Sequence, residues 1–187
     1  MLEGLDGKQL CIYSFTMNTN ETNSGGWKSC NMRKTFLGST DTENENATPA
    51  TITSPVANTL MAALPADLRE VLKPITKYTD NVGNKSTAAS AVTPTVDYLP
   101  LISVFELYGN TYISNNNEKT YQLQYQYYKD GKSKIKYRHN DVTSAGNWWL
   151  RSPVSNTDYG FCLIDNEGSL QGGAAEYPKG MAPVFLV

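Results

Sequence analysis

Trp148-Trp149-Leu150-Arg151-Ser152-Pro153 is the stretch on which the reading of this chain turns. It reads as a strand, and Pro153, which cannot donate to a ladder, ends it. Adjacent side chains on a strand point to opposite faces. Trp148 and Trp149 are therefore expected on opposite sides, one anchoring the core and the other supporting a binding face. Arg151 carries a planar fork of donors suited to a buried set of hydrogen bonds with loop carbonyls or a carboxylate. Trp148, Trp149 and Arg151 are thus expected to be scaffold.

Working outward, Phe161 to Asp165 and Pro183 to Val187 also look like strands. Val154 to Gly160 and Asn166 to Gly180 lie between them and are full of Gly, Ser, Asn and Asp, the residues of turns. Upstream, Leu10 to Phe15 reads as a strand after the turn signal Asp6-Gly7, and Asn18 to Gly26 as a polar loop. Trp27 to Leu37 partly follows helical spacing, with Gly38 where a C-terminal cap belongs. Ser39 to Pro55, rich in Thr, Asn, Glu and Pro, is expected to be a surface insertion peripheral to the core. Val56 to Leu72 reads as two helical turns joined at Pro65, and Ile75 to Thr79 as a strand. Asp80 to Thr95 is read as a polar loop and Leu101 to Tyr108 as a short helix stopped by Gly109. Glu118 to Lys129 is expected to be an amphipathic helix with Tyr121, Tyr125 and Tyr128 on one face. Helices in the middle and short strands at the end argue an α+β fold. The expectation is one domain over 1–187 with a small antiparallel sheet, flanking helices and a loop-rich C-terminal face.

Composition narrows the function. A chain of 187 residues buries about 70% of its unfolded surface, enough for a core without staples. The 16 basic and 18 acidic residues leave a net charge of −2, which argues against nucleic acid as a main partner. Twelve tyrosines suit a binding surface, since Tyr offers rigid amphipathic contact area, but they also suit the outer core of a β-rich domain. The three cysteines, Cys11, Cys30 and Cys162, form no CxxC pair and read as buried free thiols. No signal peptide is read at the start, and no apolar run is long enough to span a membrane.

Chemistry-bearing motifs are sparse. The one histidine, His139, has no second His or Cys at ligand spacing, so no metal site is expected. Asp41, Glu43 and Glu45 alternate in the insertion and read as solvated charge, not as a paired acid and base. Asp165-Asn166-Glu167-Gly168 is a turn with too few oxygens at fixed spacing for a calcium loop. Lys132, Lys134, Lys136 and Arg138 alternate with Ser133, Ile135 and Tyr137, which on a strand puts four positive charges on one solvated face.

Five segments occur in a telling order: Asn23-Ser24-Gly25-Gly26-Trp27, Met32-Arg33, Leu64-Pro65-Ala66-Asp67-Leu68-Arg69, the hexapeptide, and Gly180-Met181-Ala182-Pro183-Val184-Phe185. This order resembles a family of C-type-lectin-like domains common in gut bacteria and their phages, distantly similar in fold to the formylglycine-generating-enzyme group. The resemblance covers about Met17 to Val187. It implies a compact sheet with flanking helices and a ligand surface on C-terminal loops. Some such domains are variable proteins of diversity-generating retroelements, in which Asn codons of the variable segment are rewritten. Ser155 to Tyr177 has the residue mixture such rewriting leaves. Two departures stand out. Many relatives end in Gly-Val-Arg-Pro, whereas Met181-Ala182-Pro183 follows Gly180 here, and the abrupt start leaves room for a preceding strand or module.

The leading expectation is a ligand- or receptor-binding domain displayed on a phage or bacterial surface, not an enzyme, with neither cofactor nor metal. Its partner would be a protein or glycan on a cell surface, with no nucleic acid and no membrane insertion, oligomerisation being left open. The expected contact residues are Asn156, Asp158, Tyr159, Asn166, Gln171 and Tyr177, forming one surface with the two tyrosines as anchors. The rival readings are a structural module of a larger surface or tail protein and, ranked last, an enzyme of the formylglycine-generating type.

Overall fold

The hexapeptide is a strand, and all six of its residues are buried. The computed structural model describes residues 7–40 and 45–187, and within them the chain runs as follows. β1 (Leu10–Phe15) leads to α1 (Gly26–Ser29) and a wide turn of helix at Met32–Phe36. Three short helices follow, α2 (Pro49–Thr53), α3 (Leu60–Ala63) and α4 (Ala66–Val71), then the strands β2 (Ile75–Asp80) and β3 (Val92–Asp97). α5 (Val104–Tyr108) and α6 (Gln126–Lys129) precede β4 (Lys136–Arg138), β5 (Asp141–Gly146), β6 (Trp148–Pro153), β7 (Gly160–Ile164), β8 (Leu170–Ala174) and β9 (Lys179–Met181).

Seven strands form one sheet in the order β5-β4-β1-β9-β6-β7-β8. The β1–β4 and β6–β9 pairs are parallel and the rest antiparallel, so the main sheet is mixed. β2 and β3 make the small antiparallel sheet, with six residue pairs in unbroken register. The expectation of α+β stands at this level. The main sheet, however, is larger than expected and not purely antiparallel.

The two tryptophans part as the strand alternation requires. Trp148 packs with Cys11, Leu150, Cys162 and Ile164 on one side. Trp149 packs with Met17, Trp27, Phe161 and Leu163 on the other. Each indole N–H is satisfied, by Lys134 O and by Phe15 O, both at 2.9 Å. The sheet is thus covered on both faces, and the expectation that one Trp supports a binding face is corrected: both are fully buried core residues.

Several other expectations are corrected. Pro183 to Val187 is not a strand; only Leu186 bridges to Lys73. The strand β8 instead arises inside Asn166 to Gly180, and β9 begins at its end. Gly173 there marks close approach, not a turn: a Cβ on it would lie 2.6 Å from Leu163 Cδ2 and 3.1 Å from the Trp149 ring. β3 starts inside the expected polar loop, its Thr95 and Asp97 being polar because the network they join is buried and polar. Glu118 to Lys129 is not one helix but a 3-10 turn at Asn116–Thr120, an irregular stretch and α6. Gln122 turns inward there, donating to Tyr78 O and accepting from the Ser103 hydroxyl, and Tyr121 stacks on Tyr78 at 4.5 Å. Those tertiary anchors override the helical spacing.

The insertion is not peripheral where it is described. Ser39, Thr40 and Thr51 are buried, Ala47 N–H donates to Val96 O, and Ala47 and Ile52 pack on a third cluster of Met61, Leu72, Tyr98 and Leu99. Asp41 and Glu43 lie outside the described residues. The lysine run is also corrected. Only Lys136–Arg138 is a strand, and Lys136 is fully buried, its ammonium 4.8 Å from the Trp148 ring and donating to Gln9 Oε1.

Candidate functional site

Asn23 sits at the base of the turn between β6 and β7 and is fully buried. Its amide nitrogen donates to Thr157 O and Gly160 O at 2.9 Å each and more weakly to Val154 O at 3.4 Å. Its backbone N–H donates to Asp158 O, and its Oδ1 accepts from Asn84 N–H at 2.8 Å. One side chain thus pins the turn's inward carbonyls while Asn156, Asp158 and Tyr159 face solvent. Glycine lets the Asn84 segment close on Asn23: Gly83 has φ +64 and a Cβ on it would lie 2.0 Å from Asn23 O. Sequence reasoning singled out Asn23-Ser24-Gly25-Gly26-Trp27 as a resemblance but missed Asn23 as the residue that organises the turn.

The six expected contact residues are all exposed, in two groups. Asn156, Asp158 and Tyr159 share one end of β7 with Tyr177, which is tied in by Ala175 N–H donating to Tyr159 O and Tyr177 N–H donating to Ala174 O. Asp158 pairs with Lys85 at 3.2 Å; both are exposed, and the lysine holds the Asp158 carboxyl below its usual range. Asn166 lies in the turn beyond the far end of β7, a strand roughly 13 Å long at a rise of about 3.3 Å per residue. There Asp165 accepts from the backbone N–H of Ser169 and Glu167, and these bonds hold its carboxyl low. Gln171, on β8 between the groups, donates to Asp165 Oδ2.

The core also holds a buried charge network. Arg151 donates through Nε to Thr79 Oγ1 and through Nη1 to Leu101 O, both at 2.7 Å, and pairs with Glu106. Lys77 pairs with the other Glu106 oxygen and donates to Tyr125 OH. Burial pushes the Glu106 carboxyl up, but Arg151 and Lys77 overcome this and hold it down to about 2. Burial lowers the Lys77 ammonium. Glu118, accepting from Asp80 N–H and Ser152 Oγ, is pushed up to about 7 by burial. This network welds β2, α5 and β6 together, as expected of Arg151. Lys77 and Glu106 also line an open cleft of about 440 Å³ with Tyr78, Tyr121, Gln124 and Tyr125.

The groups that covalent or metal chemistry would use lie apart. The three thiols are free and buried, and burial raises all three, Cys11 to about 11 and Cys30 to about 12, which keeps them protonated. His139 is exposed, and its Nδ1 accepts from Tyr13 N–H. Among the described residues, no three His, Cys, Asp or Glu side chains cluster as metal ligands, and no helix is long and apolar enough to cross a membrane.

No curated protein and no solved structure matches the chain. A family of domains does match, over residues 8–187, from the segment before β1 to the last residue. The chain therefore belongs to the family described as Domain of unknown function (DUF6273).

Proposed function

We propose that this chain is a ligand-binding domain of the C-type-lectin-like kind, not an enzyme, and that it meets a protein or glycan through the end of the sheet bearing Asn156, Asp158, Tyr159 and Tyr177. The observation that carries the reading is the turn itself. A fully buried amide, Asn23, holds its backbone from beneath, so its exposed polar and aromatic side chains are presented on a rigid base. A surface ordered before contact loses less entropy on binding. Tyr159 and Tyr177 are 43% and 59% exposed, leaving large amphipathic rings free for a partner. The pairing of β1 near the start with β9 near the end, and the buried hexapeptide, support the lectin-like assignment. The resemblance extends the reading to display on a phage or bacterial surface and to diversification of the exposed positions by a retroelement.

The test is binding of the parent and the Tyr159→Ala/Tyr177→Ala double variant to glycan and protein arrays and to candidate host cells. Folding is first matched by circular dichroism. The double variant should lose at least tenfold in affinity; undiminished binding to a ligand of the parent would refute the site.

A further inference from the structure

We infer that the free edge of β8 is a docking site for an extended peptide segment of a partner protein, which would add to the sheet as an eighth strand. The inference rests on the proposed binding role and specifies its partner.

Among the described residues, β8 is the outermost strand and is bonded only to β7. The register runs from Gly160↔Ala174 to Ile164↔Leu170, bracketed by Ala175 N–H to Tyr159 O and Asp165 N–H to Ser169 O. In an antiparallel ladder alternate residues exchange both backbone bonds with the partner strand. The bracketing pairs give that role to odd-numbered residues, so Leu170, Gly172 and Ala174 turn their N–H and C=O outward. Ala174 O accepts from Tyr177 N–H. Leu170 and Gly172 have no backbone bond to any other described residue on that edge. Protein sheets guard such edges with lysine, proline or a bulge. Leu170-Gln171-Gly172-Gly173-Ala174 has no charge and no proline, and its register is unbroken.

Two depressions flank this edge. One, of about 420 Å³, is lined by Tyr108, Tyr112, Ile113 and Leu170. The other, of about 210 Å³, is lined by Ile113, Val154, Asn156, Tyr159 and Gly172. They meet at Ile113, and their outward β8 residues, Leu170 in one and Gly172 in the other, stand about 6.8 Å apart at the rise of an antiparallel strand. An added strand carries its i and i+2 side chains at the same spacing on the same face. Backbone bonds would supply affinity and the two depressions a preference for apolar side chains at i and i+2. Thr157, whose hydroxyl is buried without a partner among the described residues, lines the smaller depression beside them. A second copy of the chain would bring only Leu170, Gly172 and Ala174 on that face, one large apolar side chain for two depressions. A peptide of another protein is therefore the better fit.

The test pans a displayed library of random decapeptides on the immobilised chain and then measures the selected peptides as synthetic ligands. Selected sequences should carry apolar residues two apart. N-methylation of alternate amides should weaken binding at least tenfold in one alternation and leave it nearly unchanged in the other. Gly172→Pro, which removes an outward N–H, should abolish binding. The methylation series uses the unaltered protein and so stands even if that variant misfolds. Failure to select any peptide, or methylation effects without alternation, would overturn the inference. So would a dimer in sedimentation that Gly172→Pro dissociates, since the edge would then belong to a second copy. Array ligands that need Tyr177 but ignore Gly172→Pro would sink the edge while sustaining the proposed function; array binding indifferent to Tyr177→Ala would sink that function separately.

Discussion

Asn23→Ala tests whether a single amide holds the candidate site. The change removes the donor to Thr157 O and Gly160 O and the acceptor of Asn84 N–H, in a place with no solvent exposure. Thr157 O and Asn84 N–H lose their partner while Gly160 O keeps Val154 N–H, and each buried unpaired group costs roughly 1–3 kcal/mol. Water entering the vacated space offsets part of this, so a loss of about 3 kcal/mol is expected. At roughly 2–4 °C per kcal/mol for a domain of this size, the melting temperature should fall by about 10 °C. Urea unfolding followed by tryptophan fluorescence reads the loss directly, since Trp27, Trp148 and Trp149 are all fully buried. Asn23→Asp is the sharper control. It keeps the acceptor for Asn84 but sets an oxygen against the carbonyls of Thr157 and Gly160, so at neutral pH it should cost at least as much as alanine. At a temperature where Asn23→Ala remains folded, partner affinity should also drop, because the turn bearing Asn156, Asp158 and Tyr159 loses its base. An unfolding free energy within about 1 kcal/mol of the parent would refute the argument.

Other outcomes follow from the same structure. Trp148→Ala and Trp149→Ala should each cost about 3–5 kcal/mol, since both indoles are core on opposite faces; a loss under 1 kcal/mol for either in urea unfolding would contradict the two-sided core. The folded Glu118 carboxyl, pushed up to about 7 from 4.5, contributes stability that is complete below about pH 4.5 and lost as pH rises through 7. Glu106, held down to about 2, contributes stability that is present above 4.5 and lost as pH falls toward 2. Unfolding free energy should therefore decline on both sides of about pH 4.5, and Glu118→Gln should flatten the upper decline; an unchanged slope in that variant would remove Glu118 as its source. Replacing residues 45–55 by a short Gly-Ser linker should lower the melting temperature by more than about 5 °C in calorimetry, because Ala47 and Ile52 pack on the third cluster.

Local signals carried what local physics decides. Two adjacent tryptophans on a strand must face opposite ways, and a guanidinium beside them must find buried acceptors; β6 obeys both. Pro65 does separate two helical turns, and α5 begins with the Ser103–Glu106 capping box and ends at Gly109 in the left-handed region, all settled within a few residues of chain. The exposure of Asn156, Asp158, Tyr159, Asn166, Gln171 and Tyr177 was legible for the same reason: polar turn residues need water when no distant group pairs with them.

What tertiary structure decided were the matters set by partners far along the chain. Lys136 reads as a surface charge beside Lys134, yet it is buried because Trp148 and Gln9 wait for it. Gly172-Gly173 reads as a turn, yet it is an edge strand because Trp149 and Leu163 leave no room for a side chain at Gly173. Val92 to Thr95 reads as the end of a polar loop, yet it begins a strand that pairs with β2 because Asp97 is held by Arg33, 64 residues away, and by the Trp27 indole N–H. Asn23 carries no local mark at all, since its three acceptors arrive from more than 130 residues downstream. Composition and spacing determine which segments form strands, helices and exposed turns; long-range hydrogen bonding and close packing determine which polar residues go inside, and with them where the proposed binding face stands.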